Sequence, residues 1–131
     1  MSEANVELIR RAYGAFDTDL DALVAMLDPA VDWVSPDDSL EPGRRHGHQG
    51  VRDAFAATAM AWERPTHTPL EFAGEGEKVL VTVTFRGRGR GSGMEAERTE
   101  FHVWTVRDRV IVEFHWFYGR RDALAAAGLD E

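Results

Sequence analysis

A chain of 131 residues with 44% apolar content is long enough for one ordinary domain and short for two. Fifteen basic against 23 acidic side chains leave a net charge of −8, a field that repels phosphate backbones and anionic membranes, so neither nucleic acid nor membrane is an expected partner. The absence of cysteine excludes disulfides, thiolate metal ligands and a cysteine nucleophile; with the polar start Met1-Ser2-Glu3-Ala4-Asn5 and no apolar run of about 18 residues, a cytoplasmic location is expected.

In chain order, Val6, Ile9, Tyr13 and Phe16 recur at helical spacing and predict a first helix over Ser2 to Phe16, with Ser2 able to cap it. Asp19 is a second candidate cap, and Leu20, Leu23, Val24 and Leu27 repeat the stripe until Pro29 stops it. Val31 to Ser35 reads as a short strand and Asp37 to Arg45 as a loop, before a third helix with Val51, Phe55, Thr58 or Ala59, and Trp62 on its buried face. The Glu63-Arg64-Pro65 break ends it.

From there the period changes to two. Pro69 to Ala73 predicts a short strand, Gly74 to Glu77 its turn, and Val79, Val81, Val83 and Phe85 one apolar face of the next strand. Met94 to Val106 and Val110 to Tyr118 predict a long hairpin through Arg107-Asp108-Arg109, and Asp122 to Ala127 a short helix stopped by Gly128. Helices first and strands afterwards predict an α+β fold, a curved antiparallel sheet wrapped around three N-terminal helices. The last strand is apolar or aromatic on both faces, and with no obvious element left to cover its second face, a homodimer packed sheet to sheet is expected.

Several stretches together carry a family resemblance: Asn5 to Tyr13, Asp19 to Leu23 with Leu27-Asp28-Pro29, His46-Gly47-His48, the run Arg86 to Gly93, and His102 to Asp108. They resemble the SnoaL-like branch of the nuclear transport factor 2-like superfamily over nearly the whole chain, which implies one domain over residues 1–131 and a curved-cone fold with a deep pocket between helices and sheet. Isomerases, polyketide cyclases, dehydratases, epoxide hydrolases and non-catalytic proteins share that fold, so the resemblance implies a pocket without choosing a chemistry.

The known chemistries of such relatives can be set against these residues. Steroid isomerase-like relatives use a carboxylate base just after the strand that follows the second helix, with a Tyr and a protonated Asp as oxyanion donors. Here those positions read Ser35, Tyr13 and His102; only the tyrosine matches, and a serine does not abstract a carbon acid's proton unaided. Cyclase and epoxide hydrolase relatives place a carboxylate near Trp116, an indole without a basic lone pair, and the hydrolases' Arg and Asp fall at Thr82 to Phe85. The histidine that SnoaL-like cyclases carry near the pocket is matched by His102.

His102 is therefore the candidate acid or base, with Glu100, two residues away on the same strand face, as its orienter and Tyr13 as a hydrogen-bond donor. A polar pair at the solvated edge of the core is the alternative. Trp33, Ser35, His46, Trp104 and Trp116 are the candidate ligand contacts. The expected partner is a hydrophobic small molecule, bound without metal or cofactor. The hairpin register affects this list: with Asp108-Arg109 as a two-residue turn His102 faces His115 and Trp104 faces Glu113, whereas a three-residue turn or a bulge brings Phe114 and Trp116 to that side. Finally, the alternating arginines and glycines of Arg86 to Gly91 read as a blunted sheet edge in preference to an RNA-binding segment.

Overall fold

The computed structural model describes residues 2–39 and 42–129. Its elements are helices α1 (Ser2–Phe16), α2 (Leu20–Val24), α3 (Gly47–Ala61) and α4 (Arg120–Ala127), with strands β1 (Leu27–Ser35), β2 (Gly43–His46), β3 (Trp62–Glu75), β4 (Lys78–Gly89), β5 (Glu95–Arg107) and β6 (Val110–Phe117). The strands form one sheet in the order β2-β1-β6-β5-β4-β3. The expected α+β class holds, although the sheet is mixed: β1 runs parallel to β6 while every other pair is antiparallel.

One face of the sheet carries the main core. Ile9, Ala12 and Phe16 of α1 bury against Val79, Val81, Val83, Trp104 and Phe114, residues that alternation along β4, β5 and β6 turns to the same side. Asp19 caps α2 by accepting a hydrogen bond from the Ala22 N–H at 3.1 Å, as its position predicts. That helix is shorter than its apolar stripe suggests, because Leu27 already belongs to β1. The side chain of Ser2, the candidate cap of α1, lies outside the described residues, as do Leu40 and Glu41 of the expected loop, the rest of which includes β2 paired to β1.

Two further expectations change. Trp62 is the first residue of β3 and not the end of α3, and β3 extends far upstream of Pro69. Both Pro65 and Pro69 sit in it because it is the outer strand, where a missing N–H interrupts no central ladder. The opposite face of the sheet is covered by α4, whose Ala123, Leu124 and Ala127 pack on Leu80 and Val103, with Phe101 and Phe117 alongside. The chain thus supplies much of the cover assigned above to a second copy, and α4 ends at Gly128 in the left-handed conformation, φ 74°.

The β5–β6 hairpin settles the register. Asp108 and Arg109 form a two-residue turn with φ of 54° and 66°, yet a bulge follows, so that Thr105 pairs with Glu113 and Val106 with Ile111, leaving Val112 extra. His102 consequently lies opposite Trp116, and Trp104 opposite Phe114. β4 lies between β3 and β5 and not at an edge, which corrects the edge reading of its arginines. Arg86 pairs with Glu97 and Arg88 with Glu63, while a Cβ on Gly87 would come within 3.1 Å of the Trp62 ring. That glycine lets an indole lie on the strand.

Candidate functional site

A chain of polar side chains crosses the core from α1 to the middle of β5. The Trp104 indole Nε1–H, which can only donate, gives its proton to the Tyr13 hydroxyl oxygen at 2.9 Å. The Tyr13 O–H is then free to donate to His102 Nδ1, 2.6 Å away, and His102 Nε2–H donates to Glu100 Oε1 at 2.8 Å. Glu100 Oε2 accepts from Arg98 Nε at 2.9 Å and Nη2 at 2.8 Å. The direction of every proton follows from the indole at one end and the guanidinium at the other.

Burial sets the charges. The Glu100 side chain is only 4% exposed. Desolvation pushes its pKa up, but the hydrogen bond from His102 and, beside it, the charge of the Arg98 guanidinium hold it down at about 2. For His102 desolvation wins over Glu100, and its pKa falls below the usual 6.5, leaving a neutral imidazole between an ionised carboxylate and a phenol. Burial likewise raises the Tyr13 pKa well above 10, so the phenol keeps its proton. The ion pair of this core is Arg98 with Glu100; His102 is a neutral link behind it.

In front of the chain lies a cavity of about 390 Å³. Phe16, Trp33, Phe55, Phe85, Phe114 and Trp116 line it, with Glu100 and His102 among its polar surfaces. Trp33 and Phe114 stack with ring centroids 4.0 Å apart, a consequence of the β1–β6 pairing that sets them side by side. Trp116 donates its indole N–H to Ser35 Oγ at 3.1 Å, tying the ends of β6 and β1 together. Arg98 spreads its guanidinium over Phe85, Trp116 and Tyr118, at 4.6, 5.2 and 5.4 Å from their centroids.

Of the sequence candidates, Glu100, His102, Trp33, Ser35 and Trp116 come together at this cavity. Tyr13 and Trp104 do not line it, being packed behind His102 in the polar chain. His46 is turned away: its imidazole, 68% exposed, bonds Asp32 at 2.9 Å on the outer surface, and the neighbouring Arg45 lines the cavity in its place. His102, the candidate acid or base, has both ring nitrogens occupied, Nδ1 by Tyr13 and Nε2 by Glu100. His115 lies opposite Val103, and so on the other sheet face from His102; among the described residues no cluster of three His, Asp or Glu is arranged to hold a metal ion.

A second imidazole of the cavity escapes the sequence reading. His67, on β3, has its Nδ1 2.8 Å from Asp17 Oδ1, while its backbone N–H donates to Asp17 Oδ2 at 2.6 Å. Asp17 follows the last turn of α1 and so satisfies an edge-strand donor and a side chain at once. The available signal was alternation: Pro65, His67 and Pro69 are partly buried and Thr66 and Thr68 exposed, which extends the strand upstream, although two prolines disguise it.

Comparison with known proteins places this geometry in context. The chain is similar in structure to TerC crystallised with polyporic acid, at 24% identity over 95% of this chain and 97% of that one, TM-score 0.80. It is similar also to an NTF2-like protein of unknown function from Burkholderia pseudomallei K96243, at 26% identity over 95% and 97%, TM-score 0.81. A protein with a ketosteroid isomerase-like fold from Catenulispora acidiphila DSM 44928, in complex with trimethylamine, aligns at 18% identity over 95% and 94%, TM-score 0.76. No curated protein matches the chain. The SnoaL-like domain profile matches residues 9–114, from the first core residue of α1 to the cavity wall on β6, and the chain belongs to the SnoaL-like domain family.

Proposed function

We propose that the cavity takes up one small, flat, largely apolar molecule and that the protein performs a cofactor-independent proton transfer on it, of the kind an isomerase, cyclase, dehydratase or hydrolase requires. The observation that carries this reading is the combination of aromatic walls with an ionised, nearly solvent-free carboxylate at one side of the same space. A cavity of about 390 Å³ suits a molecule of about two rings. The structural likeness to a protein crystallised with polyporic acid supports an aromatic ligand.

Non-catalytic ligand capture is the second reading. It is favoured by Ser35 and Trp116, which occupy positions where catalytic relatives are expected to hold carboxylates, and which here bond to each other. A homodimer across the part of the outer sheet face that α4 leaves open, around Thr82, Thr84 and His115, accompanies either reading, and sedimentation velocity tests it.

The deciding experiment is a thermal-shift screen of aromatic small molecules on the native protein and on Ala57→Trp, a substitution that fills the cavity from α3. Ligand at 100 times its Kd stabilises by about 2.7 kcal/mol. Stabilisation of the native protein and none of Ala57→Trp is the expected result; equal shifts in both, or no shift by any compound, would sink the reading. Turnover of a stabilising compound separates catalysis from capture.

A further inference from the structure

His67 and Asp17 form a pair that the polar chain behind the cavity does not need. Asp17 fixes the imidazole at two points, one on the ring and one on the backbone, so the ring is held in a single orientation. With Nδ1–H donating to Asp17, the basic lone pair of the neutral ring is on Nε2. That nitrogen lies 4.0 Å from Glu100 Oε1, beyond hydrogen-bond distance, and has no hydrogen-bond partner among the described residues. Both Asp17 and His67 line the cavity, with the His67 side chain 11% exposed. The ring is wedged between Phe16 and Phe85, at centroid distances of 4.7 and 5.1 Å.

A carboxylate that orients an imidazole, an imidazole nitrogen left open, and an apolar space in front of it make up a general base with its orienting group. His102 lacks the second of these features, since Tyr13 occupies its Nδ1 and Glu100 its Nε2.

We propose that His67 is the catalytic base of this cavity, that Asp17 is its positioning residue, and that the substrate is a planar carbon acid whose C–H is presented to His67 Nε2. This rests on the reading of the cavity as a ligand site. The proton passes from carbon to Nε2, and the electron pair it leaves moves into the conjugated substrate. Arg98, which lines the same space, faces the resulting negative charge. Glu100 is committed to Arg98 and His102 and keeps that guanidinium in place.

The test uses 5-nitrobenzisoxazole, a flat carbon acid. When a base takes the C3 proton, the C–H electron pair completes a nitrile, the N–O bond breaks and its electrons remain on the phenolate oxygen, whose absorbance reports the rate. Quenching of tryptophan fluorescence by the probe measures occupancy separately. The native protein is expected to accelerate ring opening over buffer, and His67→Ala to lose about 100-fold of that acceleration while binding the probe as before. Added imidazole should restore the rate of His67→Ala along a saturating curve and leave the native rate unchanged. Asp17→Asn should slow the reaction about 10-fold and displace its pH profile, with Asp17→Glu recovering part of the rate.

Probe binding without acceleration, or His67→Ala at the native rate, overturns the assignment and leaves the ligand cavity standing. No binding of the probe or of any compound of the thermal-shift screen overturns both. A readout that needs no ligand is the ¹⁵N spectrum of the imidazoles at neutral pH. In the neutral form of each ring, Nδ1–H on His67 and Nε2–H on His102 are expected, and a neutral His67 carrying its proton on Nε2 would overturn the assignment.

Discussion

His102 and His67 stand 6.1 Å apart, ring to ring, and border the same cavity, yet their surroundings differ in kind. His102 sits in a central strand, 1% exposed, with a defined partner on each nitrogen. His67 sits in the outer strand, with a partner on one nitrogen and the cavity in front of the other. A histidine that is completely satisfied contributes to folding, since each bond it makes prevents a buried polar group from going unpaired. One satisfied on a single side retains a lone pair for chemistry. Proximity to a cavity does not separate the two cases; the count of engaged nitrogens does.

The strongest way to break this comparison is to remove the carboxylate behind each ring. Glu100→Ala strands the buried Nε2–H of His102 and the Arg98 guanidinium, and is expected to cost about 3–5 kcal/mol in urea unfolding. Asp17→Ala, at a site already partly open to water, is expected to cost about 1 kcal/mol or less. Equal losses would erase the distinction.

Acidification addresses the same carboxylate without mutation. Glu100 has its pKa lowered from 4.5 to about 2 in the folded protein, so the stability it contributes is complete above pH 4.5 and is lost as the pH falls through about 2, on the order of 3 kcal/mol in all. His102, also lowered, acts with the same sign: below its unfolded value of 6.5 the unfolded chain takes up the proton more readily, and stability begins to fall. Unfolding followed against pH should therefore slope downward from about pH 6.5, and Glu100→Gln should flatten its acidic end.

Smaller effects sharpen the contrast. Tyr13→Phe removes the oxygen that accepts from Trp104 and the proton that His102 accepts, an expected loss of about 1–3 kcal/mol by chemical denaturation. His46→Ala serves as the exposed third case. Its only described bond is to Asp32 at the surface, and a change within about 0.5 kcal/mol is expected in the same assay.

The elements that sequence makes legible are those whose periodicity is local. Val79, Val81, Val83 and Phe85 announce β4 because every second residue faces the core, and Asp19 announces α2 because its cap is three residues from its partner. Glu100 and His102 were paired for the same reason, lying two apart on one strand. What stayed hidden depends on contacts between distant residues. His67 meets Asp17 across 50 positions of chain, and β2 becomes a strand only because β1 lies beside it. Leu27 satisfied a helical stripe and a strand equally well, and the tertiary pairing with Ile111 chose the strand. The open face assigned to a dimer is largely occupied by α4, a segment whose alanines gave little hint of an apolar contact.

The extra residue in the β5–β6 hairpin has a consequence for how such a cavity changes over evolutionary time. Pairing Val112 into the ladder, in place of leaving it in the bulge, would slide β6 by one position and exchange its two sides, presenting Glu113 and His115 to the interior where Phe114 and Trp116 now stand, whereas deleting Val112 would close the bulge and keep both rings inside. Whether that one residue is bulged or paired is thus a coarse selector between a greasy lining and an ionisable one. Descendants of a common ancestor that differ in whether the bulge forms can arrive at different reactivities before any point mutation in the cavity refines them.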